Sequence, residues 1–150
     1  MIIKNEIIQP SFDSKFDNEY GTLFYNEEIR TVIVEAKAEY IPIEHFLDLF
    51  KNCSKIIEKN VVSHLIFDKR NLRTFHQPSM EWYYVEWKQD MLQYGLKSYF
   101  KILPDEPWFQ KCVEAGKAQI FEDYPEIKFE DYKITYVSDL EQAINTIKSY

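Results

Sequence analysis

From Thr22 onward the sequence alternates between short runs rich in β-branched and aromatic residues and longer segments with helical periodicity. This alternation is typical of α/β proteins, in which the strands form one sheet and the intervening helices pack on it. Because crossovers between parallel strands are right-handed, such an order restricts the topology to a small set. We predict an α/β fold in which a mixed sheet of four to five strands carries about four helices.

The strands are predicted from short apolar runs bounded by turn residues. TLFYN and IRTVIVEAK form an initial hairpin, and they are followed by VVSHLIF, LKSYFKIL and YKITYV. The segment before Gly21 is mixed in character and shows no clear periodicity. We therefore assign residues 1–21 to an N-terminal arm and residues 22–150 to a single domain.

Four segments show helical periodicity. The clearest runs from Pro42 to Asn60, with apolar residues three and four positions apart. The second spans 78–95, beginning at a proline and ending at a glycine. The third has its predicted limit near Gly116. The last follows a predicted capping box in which Ser138 and Glu141 satisfy each other's backbone amides.

Composition argues against several classes of partner. The formal net charge is −7, whereas binding to nucleic acid requires clustered Lys and Arg, so we predict no nucleic-acid partner. No run approaches the roughly 20 apolar residues that span a bilayer, so we predict no membrane insertion. The first thirteen residues lack the continuous apolar core of a signal peptide, and we expect a cytoplasmic protein.

Motifs for common catalytic chemistries are missing from the sequence. His45, His64 and His76 have no metal-binding spacing, so we predict no metal site. There is no G-x-S-x-G motif, and the three glycines make no phosphate-binding loop. Cys53 and Cys112 are too few for a disulfide framework. We predict no catalytic residue and no cofactor.

One loop, within 67-FDKRNLRTFHQPSMEW-82, gathers positive charge. Its three cations and one histidine are Lys69, Arg70, Arg73 and His76. Ligands in open α/β sheets bind outside the carboxyl ends of strands, and this loop leaves such an end, so the four residues are a candidate anion site. The alternative is that Asp68 pairs with Arg70 or Arg73 and braces the loop.

The predicted helix 78–95 is aromatic on more than one side. Trp82 and Trp87 are five positions apart, and Tyr83 adds apolar surface beyond the Met80–Trp87 stripe. Such a helix needs more burial than one sheet face supplies. Trp82, Tyr83 and Trp87 are therefore interface candidates for a second copy of the chain, a partner protein or a lipid-like ligand. The alternative is that the N-terminal arm covers this helix.

Four stretches carry a resemblance to a known family: LFYNEEIRTVIVEAK, PIEHFLDLF, HLIFD ending in Asp68, and ITYVSDLEQAINTI. In their order they resemble the STAS or SpoIIAA-like group, which includes bacterial anti-sigma-factor antagonists and the cytoplasmic tails of sulfate transporters. In regulatory members a serine in an aspartate-serine-serine-glycine turn is phosphorylated. Here the turn falls near His76, and Ser79 is the phosphoacceptor candidate, displaced from the family position and without the glycine.

Three function classes follow. The resemblance implies a non-enzymatic regulatory or protein-interaction module, which we favour, with self-association as a homodimer through the aromatic helix. The second class is a small-ligand binder, for an anion near 69–76 or for an apolar molecule beside the 80–94 helix. The third is an enzyme of unknown class.

Overall fold

The structure, a computed structural model, describes residues 1–150, and its centre is one six-stranded sheet. A small hairpin formed by β1 (Ile2–Ile3) and β2 (Glu6–Ile7) precedes this sheet. The six strands lie in sequence order across the sheet: β3 (Asp13–Asp17), β4 (Gly21–Asn26), β5 (Thr31–Ala36), β6 (His64–Asp68), β7 (Ser98–Ile102) and β8 (Lys133–Tyr136).

The sheet is mixed, which confirms the predicted α/β class. β3, β4 and β5 pair antiparallel, and β5 to β8 pair parallel. The additional strand is β3, which comes from the segment assigned to the N-terminal arm. Its residues Asp13–Asp17 pair with β4 and form one edge of the sheet, where charged side chains discourage pairing with another chain.

The sheet carries helices on both of its faces. They are α1 (Ile43–Lys59), α2 (Gln77–Trp82), α3 (Lys88–Leu92), α4 (Pro107–Asp123) and α5 (Leu140–Lys148). A π-helical turn, Tyr83–Trp87, joins α2 to α3 without a break. Each crossover steps one strand in the same direction, so right-handed connections place α1 to α4 on one face, which we call the helical face. The helix α5 follows the last strand and packs on the opposite face, which we call the α5 face.

Each central strand is apolar on both sides. On β6, Leu65 and Phe67 belong to the core of the helical face, whereas Ile66 belongs to the core of the α5 face. All three are buried. The two-sided apolar pattern of the strands therefore reflects a sheet covered on both faces.

The N-terminal hairpin packs on the α5 face, where Ile3, Ile8 and Phe12 join the residues of α5. The expectation that the arm covers the aromatic helix is therefore wrong. The physical reason is space: on the helical face α1 and α4 already flank α2, whereas on the α5 face a single helix leaves apolar sheet uncovered.

The start of α5 differs from its predicted capping box by one residue. Asp139 is the N-cap, and its carboxylate accepts a hydrogen bond from the amide of Gln142 at 2.8 Å. The Gln142 side chain in turn accepts a hydrogen bond from the amide of Ser138 at 2.7 Å. Glu6 of the hairpin adds a second acceptor for the amides of Leu140 and Glu141. These contacts fasten the hairpin to the positive end of the helix.

The helix α4 does not end near Gly116 but continues through it to Asp123. A Cβ atom at Gly116 would lie 2.5 Å from Gln77 Oε1, 2.9 Å from Met80 Sδ and 3.0 Å from Phe75 Cζ. The glycine is therefore needed for the close contact between α4 and α2, although glycine is a poor residue for the interior of a helix.

We expect Gly116→Ala to destabilise the protein by up to about 2 kcal/mol, because overpacking costs about 1–3 kcal/mol and the helix propensity of alanine offsets roughly 1 kcal/mol of it. Chemical denaturation measures the change. At exposed Ala118 on the same helix, the reverse exchange Ala118→Gly should reduce stability by roughly 1 kcal/mol from propensity alone. A more stable Gly116→Ala variant would show that the contact is not tight.

Candidate functional site

A crevice lies at the carboxyl ends of the neighbouring strands β7 and β8. The chain leaves β7 for α4 on the helical face, and it leaves β8 for α5 on the opposite face. Adjacent parallel strands whose connections diverge in this way form a topological switch point, where α/β proteins bind ligands. A cavity of about 570 Å³ lies there, between residues after β7, α4 and the end of β8. We call it the switch-point cavity, and its volume suits a small molecule.

Polar side chains dominate the lining of the switch-point cavity. Lys101 belongs to β7, Lys117 to α4 and Tyr136 to β8. The Lys117 ammonium donates a hydrogen bond to the Tyr136 hydroxyl at 2.7 Å and lies 4.9 Å from the centre of its ring. Two exposed acids, Asp105 and Glu114, also line the cavity.

Behind this cavity the helical face buries three lysines, Lys69, Lys88 and Lys101, which we call the lysine cluster. Lys88 and Lys101 are 0% exposed and Lys69 is 8% exposed. None of the three forms an ion pair with a carboxylate. Buried lysines are almost always paired, so an unpaired cluster is unusual.

Tyrosine rings surround the amines instead. The Nζ atom of Lys88 lies 3.8 Å from the ring centre of Tyr84, 4.3 Å from that of Tyr99 and 4.9 Å from that of Tyr83. It has no hydrogen-bond partner. The Nζ atom of Lys101 is hydrogen-bonded to the Tyr84 hydroxyl.

Local structure explains why these lysines turn inward. On β7, Lys101 follows Tyr99 by two positions, and both therefore point to the helical face. Lys88 follows Tyr84 by four positions on a helix. The Lys88 amide donates to the carbonyl of Tyr83, and this wider π-helical turn directs both Tyr83 and Trp87 into the core. Such turns occur frequently at functional sites.

The buried amines favour their neutral form. Burial lowers the pKa of Lys69 to about 8, and it holds the pKa values of Lys88 and Lys101 well below the ordinary lysine value, with further lowering by the neighbouring lysines. Ring contacts favour the charged form by about 2 kcal/mol when desolvated. Desolvation of an ammonium costs several kcal/mol, so the neutral amine is preferred.

Three polar atoms in the cluster lack partners: the hydroxyls of Tyr83 and Tyr99, and Lys88 Nζ. Burial raises the pKa of both tyrosines well above the ordinary value, so the hydroxyls keep their protons and can donate. A buried donor without an acceptor costs about 1–3 kcal/mol. Three such atoms in one place are unusual for a packed core.

The residues of the predicted anion site do not come together in the structure. Arg70 pairs with Asp68 through Nε at 3.0 Å and Nη2 at 2.8 Å, and Nη2 also reaches Glu6 at 2.7 Å. Arg73 is exposed and donates to backbone carbonyls of its own loop. The alternative, in which Asp68 braces the loop, therefore describes Arg70. Lys69 instead points to the helical face, because successive residues along an extended chain alternate sides.

His76 and Ser79 lie together at the start of α2. The Nδ1 atom of His76 accepts a hydrogen bond from the amide of Ser79 at 3.3 Å and lies 2.9 Å from its hydroxyl oxygen. Ser79 is 5% exposed. A kinase cannot reach such a hydroxyl without local opening, so the structure gives no support to a phosphoacceptor at Ser79. His76, Ser79 and Lys69 line a second, smaller cavity.

The interface candidates face the core. Tyr83 and Trp87 are 1% and 3% exposed, and the Trp87 indole donates to the carbonyl of Phe50 and to the hydroxyl of Ser54. Trp82 is partly buried and packs against α1. Helix α1 thus supplies the cover that a partner was expected to supply, and Tyr83 and Trp87 present no free surface.

No group of three or more His, Cys, Asp or Glu side chains is arranged to hold a metal ion. None of the helices combines the length and the apolar character needed to cross a bilayer. No model of a known protein family matches the chain, and no curated protein matches it either. The resemblance to the STAS group therefore stays a prediction.

The candidate residues predicted from the sequence did not include Lys88, Lys101 or Lys117. A signal for the first two was present, because Lys88 falls on the inward stripe between Tyr84 and Met91, and Lys101 alternates with Tyr99 on its strand. Lysine at such positions is usually explained by a long side chain that reaches solvent. Only the packing of the helices shows that these amines do not reach it.

Proposed function

We propose that this chain is a non-enzymatic, STAS-like regulatory module that binds a small organic anion in the switch-point cavity. The observation that carries the proposal is the pairing of Lys101 and Lys117 in the lining of this cavity, neither of which forms an ion pair with a carboxylate. A bound anion would supply the counter-charge of Lys117 and of Lys101 in its protonated form.

Charge favours the ligand in two ways. Lys117 on α4 offers an ammonium at the cavity, held by Tyr136. Lys101 lines the same cavity, and a bound anion favours its charged form, so that binding and proton uptake reinforce each other. The carboxylates of Asp105 and Glu114 repel highly charged anions. These features favour a carboxylate or a single phosphate group.

Anion binding is favoured over the other function classes because it requires only the charges and hydrogen-bond donors that line the cavity. Charge and hydrogen-bond donors suffice to hold an anion. An apolar ligand beside Trp82 and Trp87 would have to displace α1, against which both rings pack. Self-association through Tyr83 and Trp87 meets the same obstacle, since neither is exposed.

We expect inorganic phosphate or succinate to raise the melting temperature more than chloride does at equal ionic strength. A ligand present at 100 times its dissociation constant stabilises the folded state by about 2.7 kcal/mol. Differential scanning fluorimetry measures the shift. In Lys117→Gln the anion-dependent part of the shift should be lost.

The matched control is Lys111→Gln, which removes a cation from an exposed position of the same helix outside the cavity. It should keep the full shift. Equal shifts with phosphate, succinate and chloride, or an undiminished shift in Lys117→Gln, would contradict the proposal.

A further inference from the structure

A second cavity, separate in its lining from the switch-point cavity, lies beside Lys69. Its volume is about 50 Å³, and His76, Ser79 and Tyr83 also line it, together with mostly apolar side chains such as Phe67 and Phe109. On the same scale, about 10–15 Å³ is enough for one water molecule. The cavity therefore has room for a small molecule, and its mostly apolar walls favour an uncharged one.

Lys69 contributes the amine in the lining of this cavity. Its Nζ atom lies 4.8 Å from the ring centre of Phe67 and makes neither an ion pair nor a hydrogen bond. Asp68, its neighbour in sequence, is on the opposite face of the sheet and is held by Arg70. The amine is thus largely buried, unpaired and beside the cavity.

A hydrogen-bond donor without an acceptor lines the same cavity. Tyr83 is buried and its hydroxyl has no partner. Its ring also lies 4.9 Å from Lys88 Nζ and 5.7 Å from Lys101 Nζ. Tyr83 therefore borders both the cavity beside Lys69 and the other two amines of the lysine cluster.

We propose that Lys69 is a carbamylation site, at which carbon dioxide adds to Nζ and Tyr83 donates a hydrogen bond to the resulting carbamate. The nitrogen lone pair forms the N–C bond while one C=O π pair moves to oxygen. The nitrogen then releases one proton to water, so that amine, carbon dioxide and water give carbamate and hydronium. No oxidant or reductant is needed.

The chemistry of the cavity favours this electrophile. Carbon dioxide is small and uncharged, so it enters a mostly apolar cavity at a lower desolvation cost than bicarbonate, phosphate or succinate. The product supplies a carboxylate-like group to a lysine cluster that has none. This inference does not depend on the switch-point cavity, because it concerns a different cavity and a different ligand.

The test is carbon NMR of the whole chain equilibrated with isotope-labelled bicarbonate, followed by trapping with a trialkyloxonium salt and peptide mass spectrometry. We expect a carbamate resonance and an alkylated carbamate on Lys69. Both should be absent in Lys69→Met and in Lys69→Arg, of which the second keeps a cation that does not form a carbamate. Both should persist in Lys55→Met, which changes an exposed lysine.

The variant Tyr83→Phe tests whether the Tyr83 hydroxyl stabilises the carbamate, because it removes the hydroxyl and keeps the buried ring. The free protein should keep its fold, since the hydroxyl has no partner. Carbamate occupancy should weaken by about tenfold or more, because a hydrogen bond to a charged group is lost. A folded wild-type protein without trapped carbamate on Lys69, or a resonance that survives in Lys69→Arg, would overturn the proposal. Neither result would affect the phosphate and succinate shifts.

Discussion

Replacing Lys88 by methionine should stabilise the protein by about 1–3 kcal/mol at neutral pH, because it removes a buried polar group that has no hydrogen-bond partner. Lys88 is fully buried, has no ion pair, and its Nζ has no hydrogen-bond partner. Methionine keeps the packing among the tyrosine rings and removes the cost of burying the amine. Denaturant unfolding measures the gain, and Lys55→Met at an exposed position serves as the control.

The same substitution should reduce the pH dependence of stability. The pKa of Lys88 is well below its unfolded value, so between the two values the unfolded chain holds a proton that the folded chain lacks. Stability then rises with pH in this window, by about 1.4 kcal/mol per pH unit for each such lysine. Lys69 and Lys101 add to the slope, for Lys69 from about pH 8 upward.

Lys88→Met should remove one lysine's share of this slope between about pH 8 and pH 10. An unchanged slope together with lower stability would mean that the rings hold Lys88 as a cation. Measurements above the ordinary tyrosine pKa are avoided, because the raised pKa values of Tyr83 and Tyr99 make stability fall with pH there.

Replacing Arg70 by methionine should destabilise the protein by about 3–5 kcal/mol, because Asp68 becomes an uncompensated buried charge. Asp68 is 0% exposed and receives two hydrogen bonds from the Arg70 guanidinium. The substitution also frees Glu6, which joins the N-terminal hairpin to Arg70 and to the start of α5. Denaturant unfolding measures the loss.

Two variants test this explanation. Arg73→Met removes an exposed guanidinium from the same loop and should change stability by less than about 0.5 kcal/mol. The double variant Asp68→Leu with Arg70→Met should recover much of the loss, because no charge is left buried. If the double variant is as unstable as Arg70→Met, the loss does not come from the buried charge of Asp68.

Buried ionisable groups are paired on one face of the sheet and unpaired on the other. On the α5 face, Asp68, Arg70 and Glu6 form a closed network that joins distant parts of the chain. On the helical face, the lysine cluster has amines and donors but no acid. The first arrangement pairs every charge, whereas the second leaves Lys88 Nζ and the hydroxyls of Tyr83 and Tyr99 without a partner.

The α/β class could be predicted from the sequence, because the spacing of apolar residues differs between helices and strands. The strands and the helix beginning at Pro42 were recognised from spacing. Errors arose where a contact between distant segments decided the outcome: β3 pairs with β4, α4 continues through Gly116 against α2, and the hairpin covers the α5 face.

The sequence by itself determined that strands and helices alternate and that the central strands are apolar on both sides. These properties depend only on the spacing of residues that are near one another in the chain. Only the tertiary structure decided which charges are paired. Arg70 and Lys69 are adjacent in sequence, yet one meets Asp68 and the other an apolar cavity. Whether a buried charge is paired depends on which side chains from distant parts of the chain surround it. The spacing of residues along the chain does not predict those contacts.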